Sequence, residues 1–523
     1  MCRSVQAHAP GGEPAPVNIG RSLLKGSVVS TVALVAQVVL AFVVTPLLVH
    51  SLGVQTYGIW LLLTALIGQY ALFDFGISSA VARFVAAAAG RNDEEEIHAV
   101  VNTALVLFAL IGAVCLLVTL GLAFLAGHLT SHPAEVPVIR TCVLLVGGMV
   151  AVGFPVRIFQ GVLKAYLRYD LIAFAGLAKL ILTNLLIWIF LRAGYGIVCL
   201  AVITALAGAL EYLLTIRFAY RAFPALRLGF DFYRKATRGT LLDYSWRSFI
   251  LGVTQQIRFK LDLVVIASVL REKSLITHYS IGARFMDQFV ELVGNLVGGQ
   301  LMPVFSRYQG RGEYDLVRDR FLSATRVSTI VSVFFGASLA FYGGAFIERW
   351  MGPGYGDSTT ILLILAGPFT LALAQTPGVG LLYGMSKHHL LAWICAGAAV
   401  VNLTLSVVFA KIYGMNGVAL GTAVELTLNF LFVFPLVVCR VARVPLRTFF
   451  ADALFGTVAK CLLPLGLYFF LVRQFLEPNY LRLVTLVVGQ ALVFGPAAFY
   501  GVLRKDEREL LVGAFRRRSP SPA

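Results

Sequence analysis

The sequence predicts an all-α polytopic membrane protein with about fourteen transmembrane helices, arranged as two pseudo-symmetric six-helix lobes plus two C-terminal helices. Three observations lead to this prediction: the composition, the succession of long apolar segments and an internal repeat. Of the 523 residues, 59% are hydrophobic and 13% are charged, and the mean hydropathy is +0.83. A soluble domain has about 25% charged and about 45–50% apolar residues. The apolar excess therefore indicates a lipid environment.

Apolar segments long enough to cross a bilayer follow one another along the chain. A helix needs about 20 apolar residues to span the hydrocarbon core. The predicted spans are 27–49, 57–82, 97–126, 139–162, 169–192, 197–219, 243–270, 275–305, 322–347, 359–385, 389–411, 417–439, 450–472 and 481–503. They define a tail at 1–26, an N-lobe at 27–220, an inter-lobe linker at 221–242, a C-lobe at 243–440, two extra spans at 441–503 and a basic tail at 504–523.

The basic residues predict the orientation. With the N-terminus in the cytoplasm, 27 of the 43 Lys and Arg residues fall in cytoplasmic segments and 8 in extracytoplasmic segments. Such an excess is what orients a membrane protein, so both termini are predicted to be cytoplasmic. Topology accounts for most of the net charge of +17, and no nucleic-acid partner is expected. The seven cysteines have no metal-ligand spacing, and no cofactor or metal is expected.

Two pairs of segments repeat at a nearly constant shift. GVLKAYLRYDLIAF from Gly161 matches GLLYGMSKHHLLAW from Gly380, and GRNDEEE from Gly90 matches GRGEYDL from Gly310. Both matches fall in corresponding predicted cytoplasmic loops, six spans apart. Because six is an even number, the two lobes are expected to share one orientation, related by an axis along the membrane normal.

Ionisable residues within the predicted spans are the candidate substrate-binding residues, because charges at membrane depth are costly and usually functional. Residues on spans 7 and 8 form one polar stripe on each helix at 100° per residue. Guanidinium groups suit phosphate, since they donate two parallel hydrogen bonds. The candidates are Asp74, Arg157, Lys179, Arg247, Arg258, Asp262, Arg284, Asp287 and Glu291.

Two interpretations of these charges remain open. In the first, they line a water-filled cavity that receives a pyrophosphate and sugars; Arg258 and Arg284 bind the pyrophosphate, and the carboxylates keep the arginines apart or carry protons. In the second, opposite charges such as Arg258 with Asp262, or Arg284 with Asp287, only neutralise each other. For Asp74, a structural link to a neighbouring helix is the alternative to substrate contact.

Residues 57–91, YGIWLLLTALIGQYALFDFGISSAVARFVAAAAGR, resemble the second-helix signature of bacterial polysaccharide transporters of the Wzx-like, O-antigen flippase type. KLDLVVIASVL, THYSIGARFMDQ and LMPVFSRYQGRGEYD resemble the C-lobe pattern of that family. The resemblance implies the multidrug/oligosaccharidyl-lipid/polysaccharide exporter fold, with two lobes around a central cavity and alternating access. It implies an inner-membrane flippase for a polyprenyl-pyrophosphate-linked glycan of lipopolysaccharide or exopolysaccharide, with a polysaccharide polymerase and glycosyltransferases as partners.

Three alternative functions each predict sequence features of their own. A multidrug antiporter of the same superfamily would carry a carboxylate in its first span, yet 27–49 has none. A peptidoglycan-precursor flippase would carry an arginine there, yet only Lys25 lies at its edge. A membrane-embedded glycan polymerase or ligase would need a long catalytic external loop, whereas the predicted external loops are short. The chain is therefore expected to be a transporter and not an enzyme.

Overall fold

Helices form almost all of the described chain, and they group into two compact units. The computed structural model describes residues 36–37, 39–128, 133–166, 168–243, 261–270, 272–294, 297, 301–385 and 387–509. No β-strand occurs in this part of the chain. Unit 1 takes the described residues of Met1–Thr45 and Phe73–Ser248, and unit 2 takes those of Pro46–Leu72 and Phe249–Ala523.

The surfaces of the helices are apolar, as a lipid environment requires. Among the described residues, ten helices are long and apolar enough to cross a membrane. Their outward side chains include Phe124, Trp393 and Leu463, which are 82%, 77% and 76% exposed. Large exposed apolar surfaces are rare on soluble monomers. The all-helical membrane class predicted from the sequence is confirmed, while the count of fourteen spans stays a prediction.

Unit 1 is built around one central helix, α5, which packs against α3, α4 and α7. The carboxylate of Asp93 caps α4 by accepting a hydrogen bond from the backbone N–H of Glu96 at 2.9 Å. Three glutamates lie in the first turn of α4, where their negative charge stabilises the positive end of the helix dipole. The helices of unit 1 are α3 (Ile77–Gly90), α4 (Glu94–Phe124), α5 (Val136–Ala165), α6 (Tyr169–Arg192) and α7 (Ile197–Ala222).

The first part of the inter-lobe linker is fixed to the start of α4. The Asn102 side chain donates to the carbonyl of Arg227 at 2.9 Å and accepts from the backbone N–H of Gly229 at 2.9 Å. The ring of His98 stacks on Phe232 with centroids 5.1 Å apart. Asn102 is buried, and a buried amide needs hydrogen-bond partners. The backbone of the linker supplies those partners, so this part of the linker packs as part of unit 1.

The prediction of one continuous helix over 57–82 was wrong. The chain forms α1 (Val39–Leu52), α2 (Val54–Gly68) and a 3₁₀ turn at Gln69–Asp74 before α3 begins. Phe75 and Gly76 both adopt left-handed backbone conformations, with φ of 49° and 76°. A right-handed helix cannot continue through such residues. The break falls where the chain passes from unit 2 into unit 1, so α2 packs in unit 2, although its residues were predicted to belong to the N-lobe.

Gly76→Val should lower the free energy of unfolding by about 1–2 kcal/mol, because a β-branched residue disfavours the left-handed region. Thermal unfolding of the detergent-purified protein measures this. Gly90→Ala is the matched control, since Gly90 lies in α3 with open space where a Cβ would be. Equal melting temperatures for the two variants would contradict the assigned conformation at Gly76.

Unit 2 is built around α12 (Gly356–Ala374), which packs against α9 (Lys273–Val293), α11 (Tyr314–Met351) and α14 (His388–Leu428). Its last two long helices, α16 and α17, pack on α11, where Phe341 stacks on Phe469 with centroids 4.2 Å apart. Besides the single helical turn Leu446–Thr448, its α-helices after α2 are α8 (Asp262–Val265), α9 (Lys273–Val293), α10 (Leu301–Gly310), α11 (Tyr314–Met351), α12 (Gly356–Ala374), α13 (Thr376–Gly384), α14 (His388–Leu428), α15 (Phe434–Ala442), α16 (Gly456–Val472) and α17 (Tyr480–Gly501).

The long helix α14 is two helices joined by a sharp turn. Gly414 has φ of 61° and ψ of −139°, which is not helical. After this turn the chain runs back along itself, and a Cβ on Gly421 would lie 2.6 Å from the backbone nitrogen of Ser406. Small residues permit such close helix packing in membranes. The turn falls between the predicted spans 389–411 and 417–439.

A buried ion pair holds the end of the described chain in unit 2. The guanidinium of Arg326 on α11 donates to Glu507, and the two side chains are only 4% and 3% exposed. The other carboxylate oxygen of Glu507 accepts from the backbone N–H of Arg504 at 2.9 Å. Arg326 also donates to the carbonyl of Asp452 at 3.4 Å. These contacts pin residues 504–509 against α11.

Candidate functional site

Unit 2 contains a cavity of about 390 Å³ whose wall combines apolar and polar side chains. Five helical segments contribute to it: α2 with its 3₁₀ turn, α8, α9, α12 and α14. The described lining residues are Leu61, Thr64, Ala65, Gly68, Gln69, Asp262, Leu263, Tyr279, Ser280, Ala283, Arg284, Met286, Asp287, Leu365, Phe369 and Thr422. Ligand pockets commonly have this character, with a few polar groups in a mainly apolar wall.

Helix α2 reaches the cavity because it is anchored to α9. The hydroxyl of Thr277 donates to the carbonyl of Val54 at 2.7 Å. At Gly58 the helices approach so closely that a Cβ would lie 2.1 Å from the carbonyl oxygen of Lys273. This anchoring places Thr64 and Gln69 in the cavity wall.

The carboxylate of Asp262 lies in the cavity wall and accepts hydrogen bonds from two hydroxyl groups. Its Oδ2 accepts a hydrogen bond from the hydroxyl of Tyr279, and the hydroxyl of Thr422 lies 3.2 and 3.4 Å from its two oxygens. The amide of Asn402 in turn donates to Thr422 Oγ1 at 2.9 Å. This chain of donors holds the carboxylate in one position.

Arg284 and Asp287 lie one turn apart on α9, and both line the cavity together with Asp262. Asp287 is exposed and Arg284 is partly exposed. The structure therefore brings together three residues that the polar stripes of spans 7 and 8 predicted. Glu291, further along α9, is not among the lining residues.

The predicted charges of unit 1 form pairs between helices. Arg157 on α5 lies 3.4 Å from Asp74, and Lys179 on α6 lies 2.8 Å from Glu211 on α7. Asp74 also accepts from the hydroxyl of Ser78 at 2.7 Å. Asp74 therefore links the break before α3 to α5, which is the structural alternative considered for it.

The remaining candidates, Arg247 and Arg258, lie outside the described residues, and their roles stay predictions. No three His, Cys, Asp or Glu side chains in the described ranges lie close enough together to hold a metal ion.

Uncharged polar residues of the cavity were missed from the sequence. Gln69, Tyr279 and Thr422 carry no charge, so a prediction based on intramembrane charges does not include them. The available signal was indirect, because a carboxylate at membrane depth needs hydrogen-bond donors. Tyr279 lies 17 residues and Thr422 lies 160 residues from Asp262, so spacing along the chain could not identify them.

An all-helical membrane chain with a polar cavity in one of its compact units has the architecture of a transporter, and solved transporters share the fold. The inward-facing conformation of a multidrug resistance MATE family transporter of the MOP superfamily has a TM-score of 0.68 at 14% identity, covering 78% of this chain and 95% of that one. Lipid II flippase MurJ in an inward closed conformation has a TM-score of 0.68 at 15% identity, covering 92% and 99%. At these identities the likeness establishes the fold alone.

The chain belongs to the polysaccharide biosynthesis protein family, whose model matches residues 23–309. A relative from Bacillus subtilis (strain 168), the uncharacterized membrane protein EpsK, is 23% identical over 502 residues, which is 93% of this chain and 96% of that protein. The resemblance seen in residues 57–91 and in the C-lobe patterns is thereby confirmed for the family and for the superfamily fold.

Proposed function

We propose that this protein is a flippase that moves a polyprenyl-pyrophosphate-linked oligosaccharide from the cytoplasmic to the outer leaflet of the bacterial inner membrane by alternating access. The cavity of unit 2 carries the proposal, because Asp262, Arg284 and Asp287 meet there among apolar helices. A membrane protein does not need such a group for stability, since charges at this depth are costly. Membership of a polysaccharide biosynthesis family supports a glycan-linked substrate.

The substrate explains why a cavity has to be polar within an apolar protein. The polyprenyl tail is apolar and can remain among lipid chains, whereas the glycan and its pyrophosphate cannot cross the hydrocarbon without polar partners. A transporter that exposes one polar cavity alternately to either side provides those partners. Glycosyltransferases would supply the lipid-linked glycan, and a polysaccharide polymerase would use it.

Arg284→Ala and Arg258→Ala should each abolish complementation of a flippase-deficient strain, because each removes a positive group proposed to contact the substrate. Surface polysaccharide is the readout, and membrane abundance of each variant confirms insertion.

Arg447→Ala is the matched control, since Arg447 is an exposed arginine that is not among the lining residues of the cavity. It should complement fully. Normal surface polysaccharide in both the Arg284 and Arg258 variants would refute the proposed role of these residues.

A further inference from the structure

We infer that the predicted cytoplasmic end of unit 1 binds the headgroups of anionic phospholipids. The ligand is a phosphate diester held at a membrane surface, as in phosphatidylglycerol, and no particular transported substrate is required. The binding residues are four arginines, called here the headgroup arginines: Arg217 and Arg221 of α7, and Arg227 and Arg238 of the inter-lobe linker. None of them lines the cavity of unit 2.

One face of α7 changes from apolar to basic as the helix approaches its C-terminal end. Leu206 and Leu213 are 58% and 66% exposed, so this face of the helix is the one in contact with lipid. Arg217 follows Leu213 by four residues and Arg221 follows by four more, so both exposed arginines continue the same face. The apolar stem of such an arginine remains beside lipid chains while its guanidinium reaches the headgroup layer.

The linker that follows α7 has the same combination of basic and exposed apolar side chains. Arg227 directly precedes Leu228, and both residues are exposed. Residues 235–243 are helical, and the partly exposed Arg238 lies one turn before the exposed Leu242. Exposed leucines beside basic residues are typical of a segment that lies in the plane of the membrane interface. The linker therefore extends the basic surface that begins on α7.

Contacts with α4 fix the backbone of the linker beside its arginines. The amide of Asn102 donates to the carbonyl of Arg227 at 2.9 Å, and Nε2 of His98 lies 2.9 Å from the carbonyl oxygen of Ala225. A backbone that is already ordered loses little conformational freedom when a headgroup binds. The linker thus presents its basic side chains from a defined position.

The headgroup arginines differ from other arginines at this end of unit 1 because they have no carboxylate partner in the described chain. Arg234 pairs with Glu95, and Arg91 pairs with Glu96, whereas none of the four headgroup arginines forms such a pair. The residues outside the described ranges contain a single Asp or Glu, Glu13. A guanidinium donates hydrogen bonds to phosphate oxygens and carries the opposite charge. The anionic headgroup layer supplies the counter-charge that the chain does not.

Photolabelling of the full-length protein in nanodiscs tests the inference. The two probes are phosphatidylglycerol and phosphatidylcholine that carry the same photoreactive group at the headgroup, and peptide mass spectrometry measures the label in residues 217–243. In native protein the phosphatidylglycerol label should exceed the phosphatidylcholine label by about five-fold or more, the factor for one basic residue near an anionic surface. Added salt should lower this ratio, because it screens exposed charges.

Replacing all four headgroup arginines by glutamine should bring the two labels to equal levels. Arg217→Gln with Arg221→Gln changes α7 alone and should by itself lower the ratio, which keeps the test decisive if the four-residue variant does not fold. The melting temperature of each variant shows whether it folds.

Arg91→Gln is the matched control, because Arg91 is an exposed arginine of unit 1 whose charge is already paired with Glu96. It should keep the native ratio of the two labels. Equal labels in native protein, or a native ratio in the folded glutamine variants, would overturn the inference. Loss of the phosphatidylglycerol label on adding soluble glycerophosphate would also overturn it, since the site would then take a free phosphate ester in place of a lipid.

Discussion

Glu507→Ala should lower the free energy of unfolding by about 3–5 kcal/mol, the usual cost of removing one partner of a buried ion pair. The guanidinium of Arg326 is 4% exposed, and the variant would leave it buried without its carboxylate. The backbone N–H of Arg504 would also lose its acceptor. Thermal and denaturant unfolding of the detergent-purified protein would measure the change.

Two further variants make this prediction specific. Asp506→Ala removes an exposed carboxylate from the same short segment and should be nearly neutral. The double variant Arg326→Leu with Glu507→Leu replaces the pair by apolar groups and should recover most of the lost stability. A Glu507→Ala protein as stable as Asp506→Ala would show that the pair contributes nothing to the fold.

Asp262→Asn should reduce transport by about ten-fold or more while the protein still inserts and folds. The carboxylate accepts hydrogen bonds from Tyr279 and Thr422, and hydrogen bonds to a charged group contribute about 1.5–3 kcal/mol each. An asparagine would turn an N–H donor toward one of these hydroxyls and would remove the negative charge from the cavity wall. Export of lipid-linked glycan by the flippase-deficient strain carrying the variant is the measurement.

Tyr279→Phe distinguishes the contribution of the Asp262 charge from the contribution of its fixed orientation. It keeps the carboxylate and removes one donor, so transport should fall less than in Asp262→Asn. Asp315→Asn is the control, because Asp315 is an exposed aspartate on α11 outside the cavity wall. Equal transport by Asp262→Asn and the native protein would remove Asp262 from the proposed mechanism.

Hydropathy predicts a membrane fold well because few backbone conformations are stable in an apolar environment. A chain in lipid must satisfy its backbone hydrogen bonds internally, and a helix does so within one segment. The predicted spans 139–162, 169–192 and 197–219 accordingly lie within α5, α6 and α7. The prediction over 57–82 was wrong because hydropathy does not register the left-handed backbone at Phe75 and Gly76.

The candidate site was predicted in part, for a related reason. Charges within apolar spans are visible in the sequence, and Asp262, Arg284 and Asp287 do meet at one cavity. Charge alone could not distinguish these residues from Arg157 and Lys179, which pair with carboxylates on other segments of unit 1. Which charge meets which partner depends on helix packing, which a one-dimensional pattern does not contain.

The sequence by itself determined that this chain is an all-α membrane protein with charges held at membrane depth, because composition and segment length decide what can cross a bilayer. Only the tertiary structure decided that Gln69, on a helix assigned to the first lobe, faces the same cavity as Asp262 and Thr422. The anchoring of α2 to α9 through Thr277 brings these residues together. Such contacts join residues far apart in the chain, so helix packing assembles the cavity.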